Sequence, residues 1–436
     1  MEQTQEGTST RGMILGLAVC LFVLLFYQAG KLWLADHYVR SNTLTKLERG
    51  AALEPGNADA WDALGRFRQL DFSNSDPAGA LADYQRAVRV NPLSAHHLMN
   101  LAGAYEAVGD VRQARNAFQS ARNVYPLSAE VAWNYGNFLL RQDQSAEGYA
   151  EIQRAVSSDP KLLTLAISRT WRASHDVNVL LDQVLPADPD AYLLALDYFA
   201  STKQMDPALV VWQRLVQTKK PILLARSFPL LDELILEDRS TDAQKVWTGA
   251  LAMAGLSSDP PLRHSLIWNG DFAQDFAGGG LGWRWHTPIG VDFAFDTVPQ
   301  TYGVRSAQFF FGGGTNPEIS EPAQFVPVEP NRNYQFHAYM KTESITTEMG
   351  MRFWIIDPNH PAAVNVVTEN LTGSHPWTAI DMNVVTSPQT HFLLIRLRRD
   401  GSRMFDNKLS GVAWIADVSL VVAQQPATNE SGPRTQ

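Results

Sequence analysis

Apolar residues along this chain follow three successive patterns. Residues 13–27, MILGLAVCLFVLLFY, contain no charge, and the apolar character resumes through Ala29, Leu32, Trp33, Leu34 and Ala35. From about residue 44 to residue 256, apolar positions recur three and four apart and are broken by short polar turns, the spacing of one buried face on each of many helices. The stretch GLSSDPPLRHS (255–265) then interrupts helix with two prolines, and alternation takes over. YQFHAYMK (334–341), GMRFWII (350–356), HFLLIRLRR (391–399) and VAWIADVSLVV (412–422) alternate in and out and are bounded by turn residues, which predicts strands. Many strands without helix imply a sandwich or barrel. The pattern predicts a multidomain chain: a disordered or cytoplasmic N-terminus (1–11), a transmembrane helix (12–36), an all-α solenoid (37–258), an all-β sandwich (262–424) and a disordered tail (425–436).

The first apolar segment is long enough to matter. Residues 13–35 would form about 34 Å of helix, enough to span a bilayer. Lys31 would reach toward the interface, with Trp33 and Tyr38 near the headgroups. A cleaved signal peptide is the competing reading, with 13–26 as its apolar core, but the small residues wanted at a cleavage site are poorly supplied: Tyr27 pairs with Ala29, and Trp33 with Ala35. Arg11 precedes the span and Lys31, Arg40 and Lys46 follow it, so charge counting favours a cytoplasmic body. Large downstream domains cross largely regardless of charge. The expectation is a single-pass inner-membrane protein with an extracytoplasmic body.

Within the helical region Pro92, Pro126 and Pro160 are spaced by 34 and again by 34. Leu98, Leu101, Ala102, Tyr105, Ala114, Phe118, Ala121 and Pro126 form one unit: small residues let two antiparallel helices approach, aromatic ones fill the space beside them, and proline ends the second helix. These offsets resemble the tetratricopeptide repeat. A preceding unit carries Trp61, Leu64, Gly65, Ala80, Tyr84, Ala87 and Pro92, with three extra residues in its FSNSDP turn. Upstream, TLTKLERGAALEP reads as the second helix of a truncated unit. Tyr135, Gly136, Leu139, Ile152, Ala155 and Pro160 mark the next. Weaker units include Tyr192, Phe199, Ala208, Trp212 and Leu215, then Leu230, Leu234, Ala243, Trp247 and Ala250, while 161–187 is helical without a clean match. Stacked pairs of this kind commonly hold a peptide on their concave side, so the resemblance implies a protein partner, or else a rigid spacer. Clamping of a peptide carboxylate would need Lys and Asn on successive first helices. Asn100, Asn134 and Asn137 partly fit, but Met99 and Trp133 stand where Lys is wanted.

In the last region NGDF, then GW, a middle VPVEPNRNYQFHAYMK and a closing WIADVSLV resemble jelly-roll carbohydrate-binding modules of the galactose-binding-like kind, over about 266–423. That resemblance implies a glycan or envelope polymer as ligand, and fold alone does not imply function. If Tyr334, Phe336, Ala338 and Met340 face the core, then His337, Tyr339 and Lys341 face out. By the same count Arg352 and Trp354 share one face, and Arg396 and Arg398 another. An aromatic platform with a basic rim is what a sugar needs, so these seven are the candidate patch. The same alternation fits an ordinary solvated sheet or a face under a helical neighbour. Trp283 and Trp285 are secondary ligand candidates that equally suit core packing, and the three glycines of AGGGLGW are expected to let the chain swing between sheets. Modules of this kind often hold a structural calcium near the junction of first and last strands. Asp271 and Asp417 match that pattern, but Ala273 and Ala416 stand where it has carboxylates, and calcium wants six to eight oxygens.

The totals change little. With 436 residues, a net charge of −9 and pI near 5.6, the chain lacks the basic footprint a nucleic-acid binder needs. Its one cysteine, Cys20, lies in the apolar N-terminal run, so no disulfide within the chain and no thiolate metal site can form. No paired carboxylates, HExxH spacing, GxSxG element or phosphate loop stands out, so no enzyme is expected and no cofactor beyond the calcium option. The reading is a membrane-anchored scaffold with a protein partner on its repeats and a glycan on its sandwich, set in bacterial envelope or exopolysaccharide assembly. A pure protein scaffold, and an accessory subunit of a glycan-processing complex, are the alternatives.

Overall fold

The computed structural model describes residues 3–41, 43–71, 75–257, 265–297 and 303–423. The expected tail (425–436), the end of the proline-broken linker (258–264) and the tip of the FSNSDP turn (72–74) lie outside the described residues. Contacts divide the chain into two compact units, Met1–Pro186 and Ala187–Gln436.

The first unit opens with α1 (Gln3–Val39), whose stretch Met13–Val39 is long and apolar enough to cross a membrane. Its last turns pack against the helix that follows. Ala35 is fully buried, and Gly50 of α2 (Leu44–Leu53) lies so close to α1 that an added methyl would sit 3.2 Å from Tyr38 and Val39 and 3.3 Å from the Ala35 carbonyl. The truncated unit expected around TLTKLERGAALEP is thereby completed by the end of the apolar helix. Three helical pairs follow: α3 (Ala58–Leu70) with α4 (Pro77–Val90), α5 (Ala95–Ala107) with α6 (Val111–Val124), and α7 (Ala129–Arg141) with α8 (Ser145–Ser158). The proline period works through capping. Pro55, Pro92 and Pro126 are each followed two residues later by a polar N-cap, and Asn57, Ser94 and Ser128 accept hydrogen bonds from the Ala60, His97 and Val131 amides, whereas Leu162 after Pro160 offers no side-chain cap. Ala80, Tyr84, Ala102, Ala114, Phe118, Ala121 and Tyr135 form one continuous core. The stretch without clean repeat spacing is α9 (Leu163–Ser174), then α10 (Val177–Val179) running into a π-turn, Leu180–Val184.

Two glycines in these helices give opposite predictions. A methyl on Gly103 would touch nothing within 4 Å, whereas one on Gly136 would lie 2.9 Å from Ile152 and 3.0 Å from the Gly148 carbonyl. Gly103→Ala is therefore expected to raise stability by about 0.5–1 kcal/mol through helix propensity alone, and Gly136→Ala to lower it by about 1–3 kcal/mol. Thermal melts of the two variants check the sign of each.

The second unit begins with helices. It holds α11 (Pro189–Ser201), α12 (Met205–Gln217), α13 (Phe228–Leu236) and α14 (Ser240–Met253), then, among the described residues, nine strands. These are β1 (Val291–Thr297), β2 (Arg305–Gly312), β3 (Ala323–Pro327), β4 (Asn333–Ile345), β5 (Arg352–Ile356), β6 (Asn365–Val367), β7 (Gly373–Val385), β8 (Phe392–Arg398) and β9 (Ser410–Val422). All pair antiparallel, in a five-stranded sheet of order β1-β2-β9-β4-β7 and a four-stranded sheet of order β3-β8-β5-β6. Setting β1 aside, the orders β2-β9-β4-β7 and β3-β8-β5-β6 are those of a two-Greek-key jelly roll, with β5 and β6 a hairpin within one sheet. Tyr334, Phe336, Ala338 and Met340 of β4 face Phe353, Ile355, Leu393, Ile395 and Leu397 of the other sheet in one core. The expected core face of β4 is thus the observed one.

The sequence places a domain boundary between 258 and 262, yet the last helices and the sandwich pack as a single body. Arg284 of the sandwich reaches Asp232 of α13 at 2.7 Å, Trp247 of α14 meets Trp268 edge-on at 5.4 Å, and Asn359 donates to Asp238 at 3.0 Å. The glycine run explains why. A methyl on Gly279 would overlap the Phe228 ring, and one on Gly280 would lie 2.8 Å from Leu231 and 3.0 Å from Trp247, at a φ of +56°. These glycines let the backbone lie directly on the α13–α14 hairpin. They do not serve a crossing between sheets.

Candidate functional site

Two surfaces carry the candidate chemistry. The first is the exposed face of the leading helices in the repeats. Pro55, Pro92 and Pro126 are 37 and then 34 residues apart, so the same shifts relate equivalent positions: Asp59, His96 and Glu130; Ala63, Asn100 and Asn134; Arg66, Gly103 and Asn137. These polar side chains pair across helices. Asn100 donates to Asp62 at 2.7 Å, His96 and His97 stand 3.4 Å from the same carboxylate, and Arg141 grips Glu106 with two bonds of 2.8 Å. Burial pushes the Asp62 carboxyl up, but hydrogen bonds from His97 and Asn100 and the neighbouring imidazoles hold it below the ordinary carboxylate range. Asn100 is thus committed to a carboxylate of the protein itself, which argues against its use in clamping a peptide terminus.

One position of the face is open, and one polar atom is buried without a partner. Space above Gly103 is empty of neighbours, and Asn137, only 8% exposed, donates to the Trp133 carbonyl at 2.8 Å while its Oδ1 has no hydrogen-bond partner. Asn134 turns back to the Glu130 carbonyl and toward the Met99 sulfur.

A family model described as tetratricopeptide repeat matches residues 69–107 and 104–162. The chain carries tetratricopeptide repeats. Among solved structures, similar chains include pilF of Pseudomonas aeruginosa (15% identity, 52% of this chain, 95% of that one, TM-score 0.29), and TTC0263, a thermophilic repeat protein of Thermus thermophilus (19% identity, 46% and 87%, TM-score 0.25). YrrB, described as a repeat protein with an unusual peptide-binding site, is a third (14% identity, 48% and 92%, TM-score 0.24). A search of curated proteins gives no match. The matched repeats are those whose leading helices carry Asn100, Gly103 and Asn137, together with the helical pairs they pack into.

The second surface lies on the sandwich, and here the structure divides the candidate patch. His337, Tyr339 and Lys341 stand on the outer face of the five-stranded sheet, because β4 pairs with β7 and β9. Arg352, Trp354, Arg396 and Arg398 stand on the outer face of the four-stranded sheet, because β5 pairs with β8. A one-piece patch of seven is therefore excluded: alternation tells which residues point outward from a strand but not which sheet the strand joins. On the first face His337 bonds Asp381 at 2.8 Å, the His337 and Tyr339 rings meet edge-on at 4.8 Å, and Lys341 lies 4.3 Å over the Trp414 ring.

On the other face Trp354 is no free platform. The guanidinium carbons of Arg396 and Arg398 lie 3.7 and 3.9 Å from its ring centroid. Alternate residues of a strand are about 7 Å apart, so the indole fills the space between the two arginines. Its Nε1 donates to Asn365 at 2.7 Å. Asp400 accepts from Arg398 Nε at 2.7 Å and from Arg352.

The secondary candidates are structural. Trp283 is fully buried and donates to the Asn269 carbonyl at 3.1 Å, and half-buried Trp285 packs on Phe293 and Phe309 at 5.3 and 5.2 Å. Neither offers a ring to a ligand. Of the calcium pair, Asp271 is buried and its carboxylate accepts from the Ala273 amide, while Asp417 adopts φ +50°. Their segments do meet, Val418 donating to the Gly270 carbonyl at 2.9 Å, but among the described residues no three His, Cys, Asp or Glu side chains gather as a metal group would require. Sequence reasoning missed Asp62 and Asp400, the acids that organise each surface. Both are single carboxylates that no motif singles out.

Proposed function

We propose that this chain is a non-enzymatic scaffold anchored by a single membrane helix, with its body outside the cytoplasm. Its repeats hold an extended segment of a partner protein and its sandwich holds a glycan, a combination suited to envelope or exopolysaccharide assembly. The observation that carries the protein-binding part is the tetratricopeptide match over residues 69–107 and 104–162, with open space over Gly103 on a leading helix. Repeats of this family present such faces to peptides, since each leading helix adds one rung of polar side chains to a common groove. The anchor is supported by the packing of Ala35 and Tyr38 against Gly50: α1 is part of the first helical pair, so removing it as a signal peptide at Ala35 would strip the partner of α2.

The experiment is selection of displayed random peptides on the full chain in lipid nanodiscs, against a Gly103→Gln variant that fills the open space. Peptides enriched on the native chain and at least about tenfold weaker on the variant are expected. Peptides that bind both equally, or none at all, would remove the groove from the reading and leave the repeats as a spacer.

A further inference from the structure

We propose that Arg396, stacked on Trp354 in the open outer face of the four-stranded sheet, is the recognition group of a site for a carboxylate-bearing glycan. This rests on the glycan reading of the sandwich and narrows it. In a chain of net charge −9, three arginines share this face: Arg352 and Arg398 pair with one carboxylate, Asp400, and Arg396 lies with Arg398 over Trp354. Asp400 is already held by Arg352 and Arg398. Burial alone would raise its carboxyl, but these two arginines keep it below the usual range. Arg396 is the cation left over. It is half-buried, its guanidinium forms no ion pair or hydrogen bond among the described residues, and its Nε is enclosed without an acceptor. Burial first, and then the charge of Arg398, press its guanidinium below its ordinary value.

The arrangement is set before any ligand arrives. Asn365 fixes the indole, and the indole holds the Arg396 fork flat. A stacked guanidinium presents its N–H edge sideways, the geometry that takes a carboxylate by two parallel bonds. A neutral sugar ring finds no bare aromatic face here, because both sides of Trp354 are covered. An acidic sugar supplies the missing counter-charge. An acidic peptide is the less suited occupant: peptides recognised by sheets add to an edge strand, and Arg396 lies on β8, which has β3 on one side and β5 on the other.

The test uses the full chain in nanodiscs and three immobilised polymers: polygalacturonate, dextran and poly-L-glutamate. Binding to polygalacturonate that weakens with salt, with little binding to dextran or polyglutamate, is expected. Arg396→Met, which keeps the aliphatic stem over Trp354, should lower the affinity about tenfold or more, and Arg396→Lys, which keeps charge without the planar fork, by less. Arg332→Gln, an exposed arginine paired with Glu329, should change nothing. Near-ultraviolet dichroism establishes that each variant keeps the native packing, and Arg396→Lys decides if the Met variant does not. Undiminished polygalacturonate binding by the variants overturns the assignment. Equal binding to polyglutamate replaces the glycan with an acidic protein partner and also overturns it. Dextran binding untouched by either variant overturns the acidic preference while sparing the glycan reading, and absence of binding to either polysaccharide removes both.

Discussion

Gly270→Ala is expected to unfold the sandwich. A methyl at this position would overlap the carbonyl oxygen of Val418, a backbone atom that cannot move without shifting β9. The collision falls where the chain closes on itself: Val418 donates to the Gly270 carbonyl at 2.9 Å, and Leu266 donates to Leu420 at 2.8 Å. Strain of this kind exceeds ordinary overpacking, so a loss of more than about 3 kcal/mol is expected. Gly312→Ala is the control, since a methyl there meets nothing within 4 Å, and it should stay within about 0.5 kcal/mol. Urea unfolding followed by tryptophan fluorescence and near-ultraviolet dichroism compares them. Equal midpoints for Gly270→Ala and the parent would mean that the first and last segments do not close as described.

Trp283→Ala carries the second large effect, about 3–5 kcal/mol. The side chain is fully buried among Phe272 and Phe276, and its indole N–H satisfies the Asn269 carbonyl, so the substitution leaves both a cavity and an orphaned acceptor. Trp354→Ala should cost far less, because its ring is half-exposed and rests on arginine stems that solvent can receive. The same pair separates roles: Trp283→Ala should move the unfolding midpoint strongly, whereas Trp354→Ala should leave it nearly in place and alter polymer binding. A larger midpoint shift for Trp354→Ala would reverse the roles given to these two residues.

Periodicity made most of the architecture legible. The spacing of Pro92, Pro126 and Pro160 located the helical pairs because each proline follows the end of one helix, and after Pro92 and Pro126 a capping serine begins the next. Alternation from Tyr334 to Met340 named the core face of β4 correctly, since a pleated strand leaves no other choice. Partnership between strands was illegible for a physical reason. Which sheet a strand joins depends on crossovers tens of residues long, so Tyr339 and Trp354 read as neighbours although the core lies between them. The division of the chain was hidden for a similar reason. The prolines at 260 and 261 mark the end of helix in the sequence, but contacts between Gly280 and Leu231, or Arg284 and Asp232, leave no periodic trace. The first helix carries the opposite ambiguity: the apolar run from Met13 is plain, yet the role of Ala35 and Tyr38 in the first helical pair emerges only from the close approach of Gly50.

The glycine run of the sandwich has a consequence for how the helical stack ends. A stack of paired helices exposes an apolar side at its terminus unless a final polar unit covers it. On the α13–α14 hairpin that side is Phe228, Leu231 and Trp247, and the loop of Gly279 and Gly280 with Trp268 seals it. The β-domain is therefore the terminator of the solenoid as well as its neighbour, and a chain cut after residue 257 would end in a sticky, unsealed face.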